Sequence, residues 1–236
     1  MSRAGSHPEV AVVIPAGGAG RRMGGSTPKQ FLKVDGVPII ALTVRAFERV
    51  RAVSQIIVVV PPGYAASTDR LLRRAGCGKV TAVVEGGKER QDSVRTGLTM
   101  ITGDPHIVLI HDAVRPFITR KVIEDVIRES ATHGAAVVGV RVKDTIKREG
   151  TKGFYKDTLP RHVLWAVQTP QGFTRHLIEQ AHARALRDGF VGTDDAMLVE
   201  RMRRPVRIVE GDYGNAKITT REDLLSARLR VKAHQG

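Results

Sequence analysis

The chain has 236 residues, enough for one large α/β domain with a real core, and a composition of 42% hydrophobic, 26% charged and 4% aromatic residues excludes a disordered or fibrous protein. Its longest apolar runs, such as Ile56 to Val60, fall far short of the roughly 20 residues a bilayer span needs. With 38 Lys and Arg against 24 Asp and Glu, the net charge of +14 favours phosphates, nucleotides or nucleic acid as partners without choosing among them.

Met1 to Pro8 is short and polar, with no apolar core of a secretory signal, so a cytoplasmic protein is expected. Val10 to Ala16 is a near-continuous apolar run that breaks into Gly17-Gly18-Ala19-Gly20, a strand running into a glycine turn. Ile40, Val44, Phe47 and Val50 follow at helical spacing. Ile56 to Val60 is a second β-branched run, stopped by Pro61-Pro62-Gly63. Cys77 is the single cysteine, so no internal disulfide framework or cysteine-rich metal site is possible. Val80 to Val84 is a third run, closed by Gly86-Gly87, and Ile107 to Ile110 a fourth, ending at His111-Asp112. Behind Thr119, a suitable N-cap, Val122, Ile123, Val126 and Ile127 share a helix face, and Ala135 to Val140 is a fifth strand. Short, continuously apolar strands divided by helices predict a mostly parallel sheet covered on both faces.

From about Arg141 to Ala166 the pattern lapses. Lys143, Lys147, Arg148, Lys152, Lys156 and Arg161 surround Gly150 and Gly153, as in a short β-arm protruding from the sheet. Alternation then resumes. Leu177, Ile178, Ala181 and Ala185 form a helix face after Thr174, and Thr193-Asp194-Asp195 resembles a capped helix start. Pro205 to Val209 is a late strand, and Thr220 to Asp223 a capping box before a last helix. Residues 1–236 are expected to form one domain, with the arm at about 141–166.

The strongest chemical signal is the glycine turn with its cations, Arg21 and Arg22, followed by Pro28-Lys29-Gln30. Bare backbone can approach an anion closely and aim N–H groups at it. No Gly-Lys-Ser/Thr closes the turn as in a Walker A loop, and Met23 stands where a dinucleotide fingerprint needs its third glycine. A phosphate-binding loop and an ordinary tight turn with solvated arginines both remain open on these residues alone.

Further motifs narrow the choice: Gly86-Gly87-x-Glu89-Arg90-x-Asp92-Ser93, His111-Asp112-Ala113-x-Arg115-Pro116, Asp144-Thr145-x-Lys147, Thr169-Pro170-Gln171, Thr193-Asp194 and Lys217-Ile218-Thr219. In this order, from Val12 to about Leu225, they resemble the 2-C-methyl-D-erythritol 4-phosphate cytidylyltransferase family of the non-mevalonate isoprenoid pathway. The resemblance implies a Rossmann-like nucleotidyltransferase fold and transfer of CMP from CTP to methylerythritol phosphate. It implies that Ala16, Gly17, Gly18 and Gly20 hold CTP, that Arg22 and Lys29 stabilise the transition state, and that Gly87 and Ser93 read cytosine and ribose. Lys88 departs from the acid that relatives often carry there. Asp112, with Ala113, would lie at the centre of the site. Mg²⁺ would be held mainly by the CTP phosphates, with Asp112 as its protein contact. Arg115, Thr193 and Lys217 would position the acceptor, and Thr145 and Arg161 would reach it from the arm of a neighbouring subunit in a homodimer. His111 is expected to orient or pack rather than act as a base.

Two alternatives stand beside this expectation. Ribitol 5-phosphate cytidylyltransferases resemble the same family and would change only the acceptor. A basic nucleic-acid-binding protein would suit the charge, but aromatic residues are few and no helix-turn-helix, RNA-recognition or zinc signature occurs. The expected partners are therefore CTP and methylerythritol phosphate, without nucleic acid or membrane.

Overall fold

The computed structural model describes residues 9–17 and 27–233; Gly18, Gly20 and Arg22 lie outside them. In chain order the strands are β1 (Val10–Pro15), β2 (Lys33–Val34), β3 (Val37–Pro38), β4 (Val53–Val60), β5 (Val80–Glu85), β6 (Ile107–Ile110), β7 (Ala135–Arg141), β8 (Lys147–Glu149), β9 (Tyr155–Thr158), β10 (Trp165–Thr174) and β11 (Arg207–Glu210). The helices are α1 (Ile39–Glu48), α2 (Ala65–Arg74), α3 (Arg90–Thr99), α4 (Arg120–His133), α5 (Arg175–Arg187), α6 (Asp195–Arg201) and α7 (Arg221–Ala233). Seven strands form the main sheet in the order β11-β7-β10-β6-β1-β4-β5. All neighbours in it are parallel except β10, which runs antiparallel to both β6 and β7.

Alternation along β1 builds the two apolar layers. Val10, Val12 and Ile14 pack with Ile40, Val44 and Phe47 of α1 and Ile123 and Val126 of α4. Ala11 and Val13 point the other way, onto Val94 and Leu98 of α3 and Ile178 and Ala181 of α5. A strand buried on both faces is apolar along its covered length, which is why β1, β6 and residues 56–60 of β4 read as continuous runs. Helix α3 lies especially close to the sheet: a Cβ on Gly97 would stand 2.4 Å from Val13 Cγ1.

The caps follow the side chains. Val122 N–H donates to Thr119 Oγ1 at 3.4 Å, and α4 ends at Gly134 with φ of 85°. Before α7, Asp223 N–H donates to Thr220 Oγ1 at 3.2 Å, while Thr220 N–H donates to Asp223 Oδ2 at 2.8 Å. At α6 the cap is Asp194, whose Oδ1 accepts from Met197 N–H at 2.9 Å.

Strand β10 has no counterpart in the sequence-based expectation, which carries the arm to about Ala166 and sees no strand before Thr174. Gln168, Thr169, Pro170 and Gln171 break its apolar run, and the register with β7 shifts between Val167 and Gln171. The arm itself is the antiparallel pair β8–β9, with Lys147 opposite Thr158 and Arg148 opposite Asp157. It carries Phe154 and Tyr155, both largely exposed. Among the described residues, no helix is long and apolar enough to cross a membrane.

Candidate active site at the carboxyl edge of the sheet

The parallel strands β1, β4, β5 and β6 all end at one edge, where open α/β sheets bind ligands. Gly17 and the Gly86-Gly87 turn meet there over Ser93. A Cβ on Gly86 would stand 2.4 Å from Ser93 Oγ, and one on Gly17 would stand 3.3 Å from it. Gly87 presses in the same way on Asp92, at 2.4 Å from its Cβ. Side chains at 86 and 87 would therefore push the turn off α3. Ser93 is buried, and its hydroxyl donates to Glu89 carbonyl at 3.2 Å, leaving the oxygen to accept. Lys88 beside it is exposed.

Gln30 brings the next piece into place. Its Nε2 donates to Ala16 carbonyl at 2.5 Å, which ties the Pro28-Lys29-Gln30 turn to the end of β1. Lys29 then lines one cleft with Pro15, Ala16, Arg90, Asp112, Ala113 and Lys217.

Asp112 sits at the centre of that cleft. Its Oδ1 takes Arg90 Nε at 3.2 Å, its Oδ2 takes Lys217 Nζ at 2.9 Å, and Arg115 Nε stands 3.6 Å away. Burial works to raise the Asp112 carboxyl, but Arg90, Lys217 and Arg115 outweigh it and hold the group well below the usual carboxylate range. Burial likewise opposes the Arg90 charge, yet Asp195 and Asp112 reverse the balance and raise its pKa. Arg115 shifts the other way: burial lowers it, and Asp112 compensates only in part.

The Lys217 loop is fastened from below. Arg115 NH1 donates to Asn215 carbonyl at 2.8 Å, and Asn215 Nδ2 donates to Gln168 Oε1 at 3.0 Å and to Thr169 carbonyl at 2.8 Å. Thr169 Oγ1 accepts from Asp112 N–H at 3.1 Å and lies 3.1 Å from His111 Nδ1. His111 Nε2 faces Arg115 carbonyl at 3.0 Å, an acceptor only, so Nε2 carries the proton and Nδ1 accepts from Thr169. Burial lowers the His111 pKa to about 4, so the ring is neutral near pH 7. It holds the Asp112 turn, and both its nitrogens face protein groups rather than the cleft.

The structure thus brings Ala16, Lys29, Asp112, Ala113 and Lys217 into one cleft, with Arg115 in contact with Asp112 and the Gly17, Gly87 and Ser93 cluster at the same strand edge. It leaves others elsewhere. Thr193 is exposed, with its hydroxyl 3.6 Å from Met197 Sδ, and does not line the cleft among the described residues. Thr145 and Arg161 are exposed at the arm, where Arg161 NH1 donates to Lys143 carbonyl at 2.6 Å. Arg90, His182 and Gln30 carry no catalytic or binding role on sequence grounds, and Asp195 carries only that of an acid in the first turn of a helix. Arg90 stands inside the Gly-Gly-x-Glu-Arg motif, and that adjacency is the signal that could have marked it.

The donor set also bears on a metal. Among the described residues no group of three His, Cys, Asp or Glu is placed to hold an ion. Among the described residues Asp112 is the one carboxylate in the cleft lining, and both its oxygens already face cations. A divalent ion held directly by Asp112 does not fit this arrangement, because three positive groups surround it. A cation carried on the phosphates of a nucleotide does not conflict with it.

Cations gathered around a buried carboxylate at the ends of parallel strands suit chemistry on phosphates, and they place the chain among the Rossmann-like nucleotidyltransferases. A profile of the family described as 2-C-methyl-D-erythritol 4-phosphate cytidylyltransferase matches residues 10–233, and the chain belongs to that family. A relative of that name from Pelotomaculum thermopropionicum is 46% identical over 231 residues, 97% of this chain and 96% of its own. Another from Geobacillus kaustophilus is 46% identical over 215 residues, 91% of this chain and 93% of its own. The solved structure of 4-diphosphocytidyl-2C-methyl-D-erythritol synthase from Anaerococcus prevotii superposes with a TM-score of 0.85 at 28% identity, covering 96% of this chain and 100% of that one. The activity is therefore cytidylyl transfer to methylerythritol phosphate in the non-mevalonate pathway, and a ribitol phosphate acceptor is not favoured.

Proposed function

We propose that the cleft between the glycine turns and Lys217 carries out this transfer by positioning and charge stabilisation. CTP lies over Ala16 and Gly17, and Gly18 and Gly20 complete its contacts. Its base enters beside Gly87 and Ser93, and its phosphates run toward Arg22 and Lys29. The phosphate of methylerythritol phosphate, already anionic near neutral pH, then attacks the α-phosphorus in line. A new P–O bond forms as the bond to the bridging oxygen breaks, and pyrophosphate leaves with that electron pair. No general base is required. Arg22 and Lys29 meet charge that grows on the α-phosphate and the departing pyrophosphate, so they favour the transition state over the ground state.

A divalent cation carried on the triphosphate would neutralise part of its charge. Asp112 acts instead on the protein side, where it orients Lys217 and Arg90. Lys217 and Arg115 place the acceptor from one subunit, Thr193 borders it, and Thr145 and Arg161 reach it from the arm of the second subunit of a homodimer. Both substrates are polyanions that do not cross membranes unaided, so the enzyme works in the cytoplasm, where CTP is made.

The observation that carries this reading is Asp112, buried at the end of β6 among Arg90, Arg115 and Lys217 and beside Lys29. Pyrophosphate release by Arg22→Ala and Lys29→Ala tests it. Each is expected to lose about 10²–10³-fold in turnover, as for removal of one transition-state donor, with an unchanged thermal melt. Folded variants at the full rate would refute the assignment.

A further inference from the structure

Behind the cleft, a line of charged groups runs from exposed Lys217 into the apolar layer. Lys217 Nζ meets Asp112 Oδ2 at 2.9 Å, and Asp112 Oδ1 takes Arg90 Nε at 3.2 Å. Arg90 NH1 meets Asp195 Oδ2 at 2.7 Å, and Asp195 Oδ1 lies 3.1 Å from His182 Nε2. Asp195 and His182 are 1% and 2% exposed. Gln171 Oε1 accepts from Asp195 N–H at 3.1 Å and from Ala196 N–H at 3.0 Å, so the start of α6 is pinned where the carboxylate faces Arg90. Burial works to raise the Asp195 carboxyl, yet Arg90 and His182 together keep it below its ordinary value.

His182 is out of keeping with its neighbours. On α5 it shares the buried side with Ile178, Ala181 and Ala185, and its Nδ1 is buried with no hydrogen-bond partner. An unpaired buried polar atom is unfavourable, so packing alone does not explain a histidine here. The geometry of Arg90 does. A guanidinium prefers to grip one carboxylate through two parallel hydrogen bonds. Here it is split between two acids, with one nitrogen on each. His182 holds Asp195 Oδ1 and so leaves Arg90 only Oδ2.

We infer that His182 is a positioning residue for cytidylyl transfer: by occupying Asp195 Oδ1 it denies Arg90 a two-oxygen grip on Asp195, keeps Arg90 Nε on Asp112, and thereby fixes the carboxylate that aims Lys217 at the acceptor phosphate. This rests on the proposed role of Asp112 and Lys217. Removing the Nε2–H donor lets Arg90 close on Asp195 and leave Asp112, which then holds Lys217 from one side only.

The experiment compares His182→Leu and His182→Gln with the unaltered enzyme, following pyrophosphate release while CTP and methylerythritol phosphate are varied in turn. Leu keeps the apolar volume and removes the donor, whereas the Gln amide can still donate to Asp195. His182→Leu is expected to lower kcat/KM for methylerythritol phosphate by about tenfold, with KM for CTP changed less than about twofold, and His182→Gln to recover most of the loss. If the Leu chain does not fold, His182→Asn takes its place, since its amide falls short of Asp195. A Leu or Asn variant within twofold of the unaltered enzyme, an equal loss in the Gln variant, or a loss confined to CTP would overturn the inference. Absence of any CTP- and acceptor-dependent release by the unaltered enzyme would instead bring down the functional reading on which it rests.

Discussion

Lowering the pH from 7 to 5 is expected to weaken the fold through one imidazole. His111 is fully buried, edge-on to Phe47 with ring centroids 4.8 Å apart, and is hydrogen-bonded at both nitrogens. Its Nδ1 must stay unprotonated to accept from Thr169. Burial lowers its pKa from the ordinary 6.5 to about 4, against the opposing pull of the Arg115 carbonyl and Asp112. The unfolded chain therefore binds a proton below about pH 6.5, and the folded chain only below about pH 4. Between these values the unfolded state carries the extra proton, so stability falls as pH falls through the window; above it neither state is protonated and the effect vanishes. At pH 5 the two titrations differ by about 2 kcal/mol. With a urea slope of about 2 kcal/mol per molar, the denaturation midpoint should drop by about 1 M between pH 7 and pH 5. His111→Gln should be less stable at pH 7 but lose this drop. A midpoint that is level or higher at pH 5, or an undiminished drop in the Gln variant, would refute the reasoning.

Three further outcomes are expected. Gly97→Ala places a methyl 2.4 Å from Val13 Cγ1, and overpacking should lower stability by about 1–3 kcal/mol in a urea melt, with Val13→Ala in the same chain restoring part of it. Asp112→Asn leaves Arg90, Arg115 and Lys217 facing one another without their carboxylate; a loss of about 3–5 kcal/mol in stability, together with a raised KM for methylerythritol phosphate, should follow. Arg161→Ala and Lys29→Ala proteins, each nearly inactive alone, should regain about a quarter of full activity when mixed and allowed to exchange subunits, because half the dimers then hold one intact site. No recovery on mixing, with exchange verified by sedimentation of tagged chains, would contradict an arm that serves the neighbouring subunit.

The parts of the fold visible in the sequence are those whose burial leaves no polar option. Strands β1 and β6 and residues 56–60 of β4 are covered on both faces and read as unbroken apolar runs. Helix α2 buries only Thr68 and Leu72, and α3 carries Gly97 against the sheet, so neither shows a clear helical stripe. Strand β10 is hidden because Gln168, Thr169 and Gln171 spend their side chains on Asp212, Asp112, His111 and the start of α6 rather than on apolar packing. Within the site, the glycine turns, Lys29, Asp112 and Lys217 stand in ordered motifs. Which acid meets Arg90 is not legible there, because Asp195 lies 105 positions away and the packing of α5 against both α3 and α6 brings them together. The capped start at Thr193-Asp194-Asp195 suggests acids serving a helix dipole, whereas Asp195 is turned inward onto Arg90 and His182.

The central claim is tested most directly by pyrophosphate release measured with each of the four ribonucleoside triphosphates against both methylerythritol phosphate and ribitol 5-phosphate. Substantial turnover is expected only for CTP with methylerythritol phosphate, and it should disappear in the Lys29→Ala chain. Comparable release with a purine triphosphate, or faster transfer to ribitol phosphate, would contradict the assignment of the cleft.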